Sequence, residues 1–372
     1  MKKTLIALAV LAAAGTASAQ SSVTLFGIVD ATLQRVSNTG GGTVTRLHNS
    51  GESSSRLGFR GTEDLGGGMS ASFWLEAGLA NDDGQGAATS SNNQAIGAFN
   101  TTTGANAPVR AGTQGLTFNR RATVSLAGGF GEIRLGRDYT PQFWNLTVFD
   151  PYGTVGVGTN LLLNSNPFPT NVRASNTIGY FLPGNLGGFY GQIQAYRGEN
   201  ASNVANSGDG NGFGGRLGYA AGPVNVALAT GRTNSVAVGK MTQSNLGASW
   251  NFGVATVMAQ VARDKIDAPT NVKGRGYLLG ATVPVGAGLI KASVAQYTTD
   301  VAAGTDPRAR KYALGYVHNL SKRTAVYTTW ARVKNNATSA LSVFPGAVPG
   351  TLGGPTLGSS SSGYDLGIRH SF

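Results

Sequence analysis

The chain has no cysteine and only three histidines among its 372 residues. Without thiols there is no disulfide framework, no thiolate nucleophile and no cysteine-ligated metal. Charge is also scarce. Asp, Glu, Lys and Arg together make up 12% of the sequence, about half the ~25% of an ordinary soluble domain. After residue 19 no apolar run approaches the ~20 residues that a membrane-crossing helix needs. These absences speak against a disulfide scaffold, a helical membrane bundle and an enzyme built on paired histidines. The formal charge is +12, but no cluster of five or more Lys and Arg occurs. Nucleic acid is therefore not an expected partner.

What is abundant is glycine, with 56 residues, about double the usual ~7%. Thr, Ser, Asn and Tyr are frequent as well. Mean hydropathy is near zero, at -0.06. Such a composition suits a sheet with one apolar and one wetted face. The chain opens on "MKKTLIALAVLAAAGTASAQ", with two lysines, a short apolar run and Ala17-Ser18-Ala19 before Gln20. This is the pattern of a secretory signal peptide over residues 1–19. The remainder, residues 20–372, reads as a single exported domain.

Seven short turn signals punctuate that remainder: "DLGGGM", "AGGFG", "PGNLGG", "AAGP", "NFG", "PVGAG" and "NLSKR". Gly, Pro and Asn supply the dihedrals that tight hairpins require. Eight longer polar segments alternate with them, near 37–53, 81–115, 140–172, 199–210, 234–240, 265–273, 300–308 and 335–360. Fifteen links join sixteen strands and leave both termini at the short-turn end.

The stretches between the links alternate with period two, as strands do. In residues 69–79 Met69, Ala71, Phe73 and Leu75 share one face, and Ser70, Ser72, Trp74 and Glu76 the other. Tyr277, Leu279, Ala281 and Val283 oppose Gly276, Leu278, Gly280 and Thr282 in the same way. Alternation is weak in 254–264 and 323–334. Even-numbered strands of about 10 residues, apolar outside and polar inside, with short turns at one end, fit a transmembrane β-barrel. Lipid offers backbone groups no partner, so only a closed barrel can cross it with strands. The expected fold is thus all-β: a 16-stranded antiparallel transmembrane barrel with short periplasmic turns and long extracellular loops. Sixteen strands enclose an aqueous channel rather than a packed core.

The inward parity carries the candidate functional residues. Leu57 and Phe59 face out, which places Arg56 and Arg60 inside. By the same reasoning Arg121 and Arg134 face in. Arginine on the lipid face costs about 2–4 kcal/mol at mid-bilayer, so parity is enforced. Four arginines on the lumen wall read as a positive ladder that draws anions. Asp30 and Glu76 are the acidic lumen residues placed to pair with them. The third long segment, residues 140–172, is unusually apolar, with Phe143, Trp144, Leu146, Phe149, Leu161 and Leu162. Such a loop is expected to fold into the barrel, bury its aromatics against the wall and narrow the pore. Asp150 is its only acid, and it is expected among the pore-lining residues of the constriction. No Ser/His/acid arrangement and no metal-ligand spacing accompanies these residues, so no catalytic residue, metal or cofactor is expected.

Five stretches carry a family resemblance: "SSVTLFGIVDATL", "SSRLGFRGTEDLGGGMSASFWLE", "RRATVSLAGGFGEIRLGRDYTP", "LGYVHNLSKRTAVYTTWA" and the closing "DLGIRHSF". Spread from residue 21 to 372, they resemble the general porins of Gram-negative β-proteobacteria, the Neisseria–Burkholderia type of outer-membrane porin. The resemblance implies a homotrimer in outer-membrane lipid, with the third loop folded into each pore. It implies passive diffusion of small hydrophilic solutes and ions with a weak anion preference. It makes the last strand, with His370 and Phe372, a signal for the outer-membrane assembly machinery. A substrate-specific outer-membrane channel is the alternative, and a barrel enzyme or surface adhesin a more distant one.

Overall fold

The computed structural model describes residues 22–86, 92–94, 115–165, 168–236, 239–267, 272–344 and 353–372. The leader expected at residues 1–19 lies outside them. In chain order the strands are β1 (Ser22–Asn38), β2 (Gly42–Asn49), β3 (Arg56–Gly66), β4 (Met69–Ala80), β5 (Gln85–Gly86), β6 (Arg121–Gly128) and β7 (Gly131–Tyr139). Two short helices follow, α1 (Pro141–Val148) and α2 (Leu161–Asn164). Then come β8 (Arg173–Phe181), β9 (Phe189–Tyr196), β10 (Gly212–Ala221), β11 (Val224–Ser235), β12 (Gly239–Asn251) and β13 (Thr256–Ile266). The chain ends with β14 (Val272–Val285), β15 (Gly288–Asp300), β16 (Arg308–Asn319), β17 (Thr324–Asn335) and β18 (Ser360–Ser371).

These strands form one closed antiparallel sheet. β18 pairs with β1 from Ile28↔Ser371 to Asn38↔Ser361, so the last strand meets the first. β2 and β3 lie end to end along β1 and form one stave, broken at residues 50–55. β5 is a two-residue return on the end of β4. The barrel therefore has sixteen staves, as the alternating links predict. All seven short links lie between adjacent antiparallel strands at one end. Phe372 continues the closure, exchanging two backbone hydrogen bonds of 3.1 Å with Gly27.

Two long segments are shorter than the sequence reading placed them. Most of 37–53 is strand, because Thr43, Thr45 and Leu47 alternate on the outer face beyond the glycine turn at 40–42. Likewise β11 runs on to Ser235 and β12 begins at Gly239. The weakly alternating stretches are ordinary staves. In β13 Val261, Arg263 and Lys265 point outward, and in β17 Val326, Trp330, Arg332 and Lys334 do so. Charged residues at outward positions erased the apolar alternation there.

The core of the molecule lies inside the barrel. Leu146, Tyr152, Val157, Leu161 and Leu162 of the third long segment pack against inward residues of the wall, among them Ala262, Leu278, Ala313 and Val333. Outward-facing residues such as Leu228, Leu279 and Leu314 are exposed instead, as the lipid-facing side of a barrel must be.

Candidate pore constriction

Residues 140–172 leave the end of β7, turn inward and run along the inside of one half of the barrel. Pro141 starts α1, where a missing N–H costs nothing because helix-start donors lack partners anyway. Side chains and backbone then tie the segment to successive staves. Asn145 Nδ2 donates to Ala227 O at 2.7 Å, and Arg216 Nε donates to Asn145 Oδ1 at 2.5 Å. Asn245 Nδ2 donates to Gln142 O at 3.0 Å. Further on, the Tyr152 hydroxyl donates to Lys291 O at 2.9 Å and Val157 N–H to Asp365 Oδ2 at 2.8 Å. Lys311 Nζ donates to Thr159 O and Val343 O at 2.6 and 2.9 Å.

Glycine on the inner wall makes room for this segment. A Cβ at Gly247 would stand 2.1 Å from Phe149 Cδ2, and one at Gly231 2.2 Å from Gln142 Oε1. Phe149 is fully buried against that wall, which removes enough apolar surface to stabilise the docked loop by roughly 1.5–3 kcal/mol. The high glycine content thus serves packing inside the barrel as well as turns outside it.

Asp150 turns the segment's chain. Its carboxylate accepts from the N–H groups of Tyr152, Thr154 and Asn160 and from Asn160 Nδ2. Burial pushes its carboxyl above the usual range, and these donors oppose the shift. It is buried rather than turned to the open lumen, which departs from the pore-lining position expected for it. The lumen edge of the loop is left to Trp144, Thr147, Val148, Thr154 and Val155, none charged.

Across the lumen stands the wall from β3 to β8. Glu76 on β4 lies 2.5 Å from Arg120 Nε and 3.6 Å from Arg56 Nη1. Asp138 on β7 lies 2.6 Å from Arg134 Nη1 and 3.9 Å from Arg121 Nε. Arg134 also pairs with Glu132 at 2.9 Å and stacks over Phe181 at 4.0 Å. The guanidinium of Arg60 sits over Phe26 and Trp74, 5.4 and 5.2 Å from their centroids, and Arg121 over Trp74 at 4.6 Å. Tyr139 links wall to loop. Its hydroxyl accepts from Arg120 Nη2 at 2.7 Å and Arg173 Nη2 at 3.0 Å, while its ring stacks on Phe143 of α1 at 5.1 Å.

The four arginines expected on the lumen wall therefore share one arc, and Glu76 joins them. Asp30 does not. Its carboxylate accepts from Gly51, Glu52 and Ser53 N–H and from the Tyr327 hydroxyl. It pins the break between β2 and β3 to the wall. Within that break Glu52 pairs with Lys291 at 2.5 Å, and burial, outweighing the lysine, raises its carboxyl pKa. Parity reasoning missed Arg120, Tyr139 and Arg173. Arg120 precedes the first residue of β6 and Arg173 opens β8, so strand alternation assigns neither a face. The one available signal was the pair Arg120-Arg121 itself.

Residues 4–338 match the sequence model of the Gram-negative porin family. The chain is 40% identical, over the whole length of both proteins, to outer membrane porin protein 32 of Delftia acidovorans. It is 27% identical to an outer membrane porin protein of Bordetella pertussis, covering 91% of this chain and 95% of that one. Among solved structures it is similar to an anion-selective porin from Comamonas acidovorans, with 36% identity and a TM-score of 0.79, covering 95% of this chain and all of that one.

Proposed function

This chain belongs to the Gram-negative porin family, a passive channel of the outer membrane, and from that premise we propose that its pore favours small hydrophilic anions over cations. One observation carries the proposal. Six arginines (Arg56, Arg60, Arg120, Arg121, Arg134 and Arg173) stand on the β3–β8 wall with four carboxylates, Asp64 near the short-turn end, Glu76, Glu132 and Asp138. The loop edge opposite contributes no charge. The excess of positive charge is unopposed across the gap, so an anion entering it is stabilised and a cation is not. The similar Comamonas protein bears the description anion-selective, in keeping with this reading. A salt-gradient reversal potential in a planar bilayer tests it. Anion preference is expected, and a reversal potential of cation sign would overturn the assignment.

This chain is further proposed to assemble as a homotrimer, as the family resemblance implies. Chemical cross-linking of the detergent-extracted protein should give a trimer band that survives boiling, whereas the uncross-linked trimer should collapse to monomer on boiling. The C-terminal Phe372, with His370 beside it, is proposed as the signal read by the assembly machinery. Supporting it, Phe372 lies partly exposed at the end of the closing strand, with its ring over Gly27. Phe372→Ala should lower the amount inserted in cells while leaving refolding into detergent intact.

A further inference from the structure

The outward face of the barrel is uneven in charge. At the long-loop ends of β13, β14, β16 and β17 its residues are cationic, and they face one another in register. Arg263 is directly opposite Arg275, and Lys265 opposite Lys273, across β13 and β14. Arg310 is directly opposite Lys334 across β16 and β17. All six lie on outward positions. Side chains so placed stand about 4.5–5.5 Å apart at Cβ, and like charges there are destabilising. Three such oppositions on one face are a cost to the bare barrel.

Neighbouring carboxylates offset only part of it. Lys265 pairs with Asp267 at 2.7 Å, and Arg275 with Asp300 at 3.0 Å and Asp306 at 3.7 Å. Arg263, Lys273, Arg310 and Lys334 have no carboxylate within 4 Å among the described residues. Arg310 instead donates twice to Gln296 Oε1. Arg232 on β11, Lys240 on β12 and Arg332 on β17 extend the belt on the same outward face. By contrast, the outward positions of β3, β4 and β6 hold Leu57, Phe59, Phe73, Leu75 and Val124, and no cation.

The belt adjoins the apolar band. On the same faces, toward the middle of the barrel, stand Val261 next to Arg263, Tyr277 and Leu279 next to Arg275, and Leu314 beyond Arg310. An occupant must therefore offer anionic groups at one end and hydrocarbon at the other. The long-loop end of a porin faces outward from the cell, so that occupant sits in the outer leaflet. We propose that this arc is a docking belt for a phosphorylated lipid of the outer leaflet. Its phosphates bridge the opposed cations and its acyl chains lie on the apolar positions beside them. A basic residue near a membrane surface attracts an anionic lipid, and a phosphate between two cations turns repulsion into two attractions.

The test uses the full-length protein in neutral detergent, titrated separately with diphosphoryl lipid A, with its fully dephosphorylated form and with inorganic phosphate. Binding is followed by native mass spectrometry and by the unfolding midpoint. Diphosphoryl lipid A should bind and raise the midpoint. The combined variant Arg263→Gln, Lys273→Gln, Arg310→Gln, Lys334→Gln should bind it more than tenfold more weakly. Without lipid, that variant should melt no lower than the parent, since the like-charge oppositions are gone. Lys322→Gln with Arg323→Gln, at a short turn on the opposite end, should bind like the parent. Binding by the fourfold variant within twofold of the parent would overturn the proposal. So would equal binding of the dephosphorylated lipid, or inorganic phosphate matching diphosphoryl lipid A at the same concentration.

Discussion

From β3 to β8 the inner wall carries arginines, aromatic rings and four carboxylates, and it faces open lumen. From β11 to β18 the same inward parity carries Gly231, Gly247, Gly280, Ala313 and Ala331, and it is covered by the third loop. Both halves are the polar side of one barrel by strand pattern. They differ in what touches them. Where water touches the wall, long charged side chains are tolerated and can be held by ion pairs and rings. Where protein touches it, side chains shrink to let a loop approach, and the apolar loop residues find their core there. The asymmetry narrows the channel and leaves its electrostatics to one wall.

Breaking the covered half should have the largest effects. Phe149→Ala empties the contact with the Gly247 stretch and should loosen the loop by about 3–5 kcal/mol. Single-channel recordings should then show a larger and noisier conductance, and an unchanged trace would mean that the loop is held elsewhere. Next in size is Gly247→Val, which drives a side chain into the Phe149 ring and should cost about 1–3 kcal/mol in the unfolding midpoint. Combining the two should cost less than their sum, because each change relieves the other. Strict additivity would show that the contact is not shared.

The open half should respond in selectivity more than in stability. Arg134→Ala should lower the anion-to-cation permeability ratio by up to about fivefold, the worth of ~1 kcal/mol for a charge already paired with Glu132 and Asp138. Glu76→Gln should move the ratio the other way, since it frees Arg56 and Arg120 from their carboxylate. If both substitutions shift the reversal potential in the same direction, the wall is not the source of the preference.

The smallest effect concerns the break between β2 and β3. Glu52 has a raised pKa in the folded protein, so the native state holds its proton more tightly than the unfolded chain does. Its contribution to stability is therefore fullest below the ordinary carboxylate range and fades as pH rises through the raised value. Glu52→Gln should flatten that dependence in a pH series of melting curves. A parent protein whose midpoint rises across that window would contradict the assignment.

Much of the fold was legible before any coordinates, and particular residues show why. The links at "AGGFG" and "PVGAG" mark tight turns because only small residues take their dihedrals. Faces such as Tyr277, Leu279 and Ala281 against Gly276 and Gly280 follow from period two alone. Legibility failed where those rules have no purchase. Arg120 and Arg173 sit at or before a strand's first residue, where alternation assigns no face. The strand in 42–49 was hidden behind three glycines that read as a loop. Asp30 and Asp150 were legible as inward or loop acids, yet Asp30 is taken up by backbone N–H groups of the distant break at 51–53 and Asp150 by those of its own turn, which strand parity does not reveal.

Period-two patterning and turn chemistry, written in neighbouring residues, determined by themselves that the chain forms a sixteen-stave barrel and which arginines face its interior. Local sequence suffices there because each side chain's face depends only on its position along one strand. Tertiary structure alone decided that the third loop lies against β11–β18, that Asp30 is consumed by the break between β2 and β3 and by Tyr327, and that like charges meet across β13 and β14. Those outcomes depend on register and on contacts between residues tens to hundreds of positions apart, such as Val157 with Asp365. Closure of the sheet is what brings such residues within reach of one another.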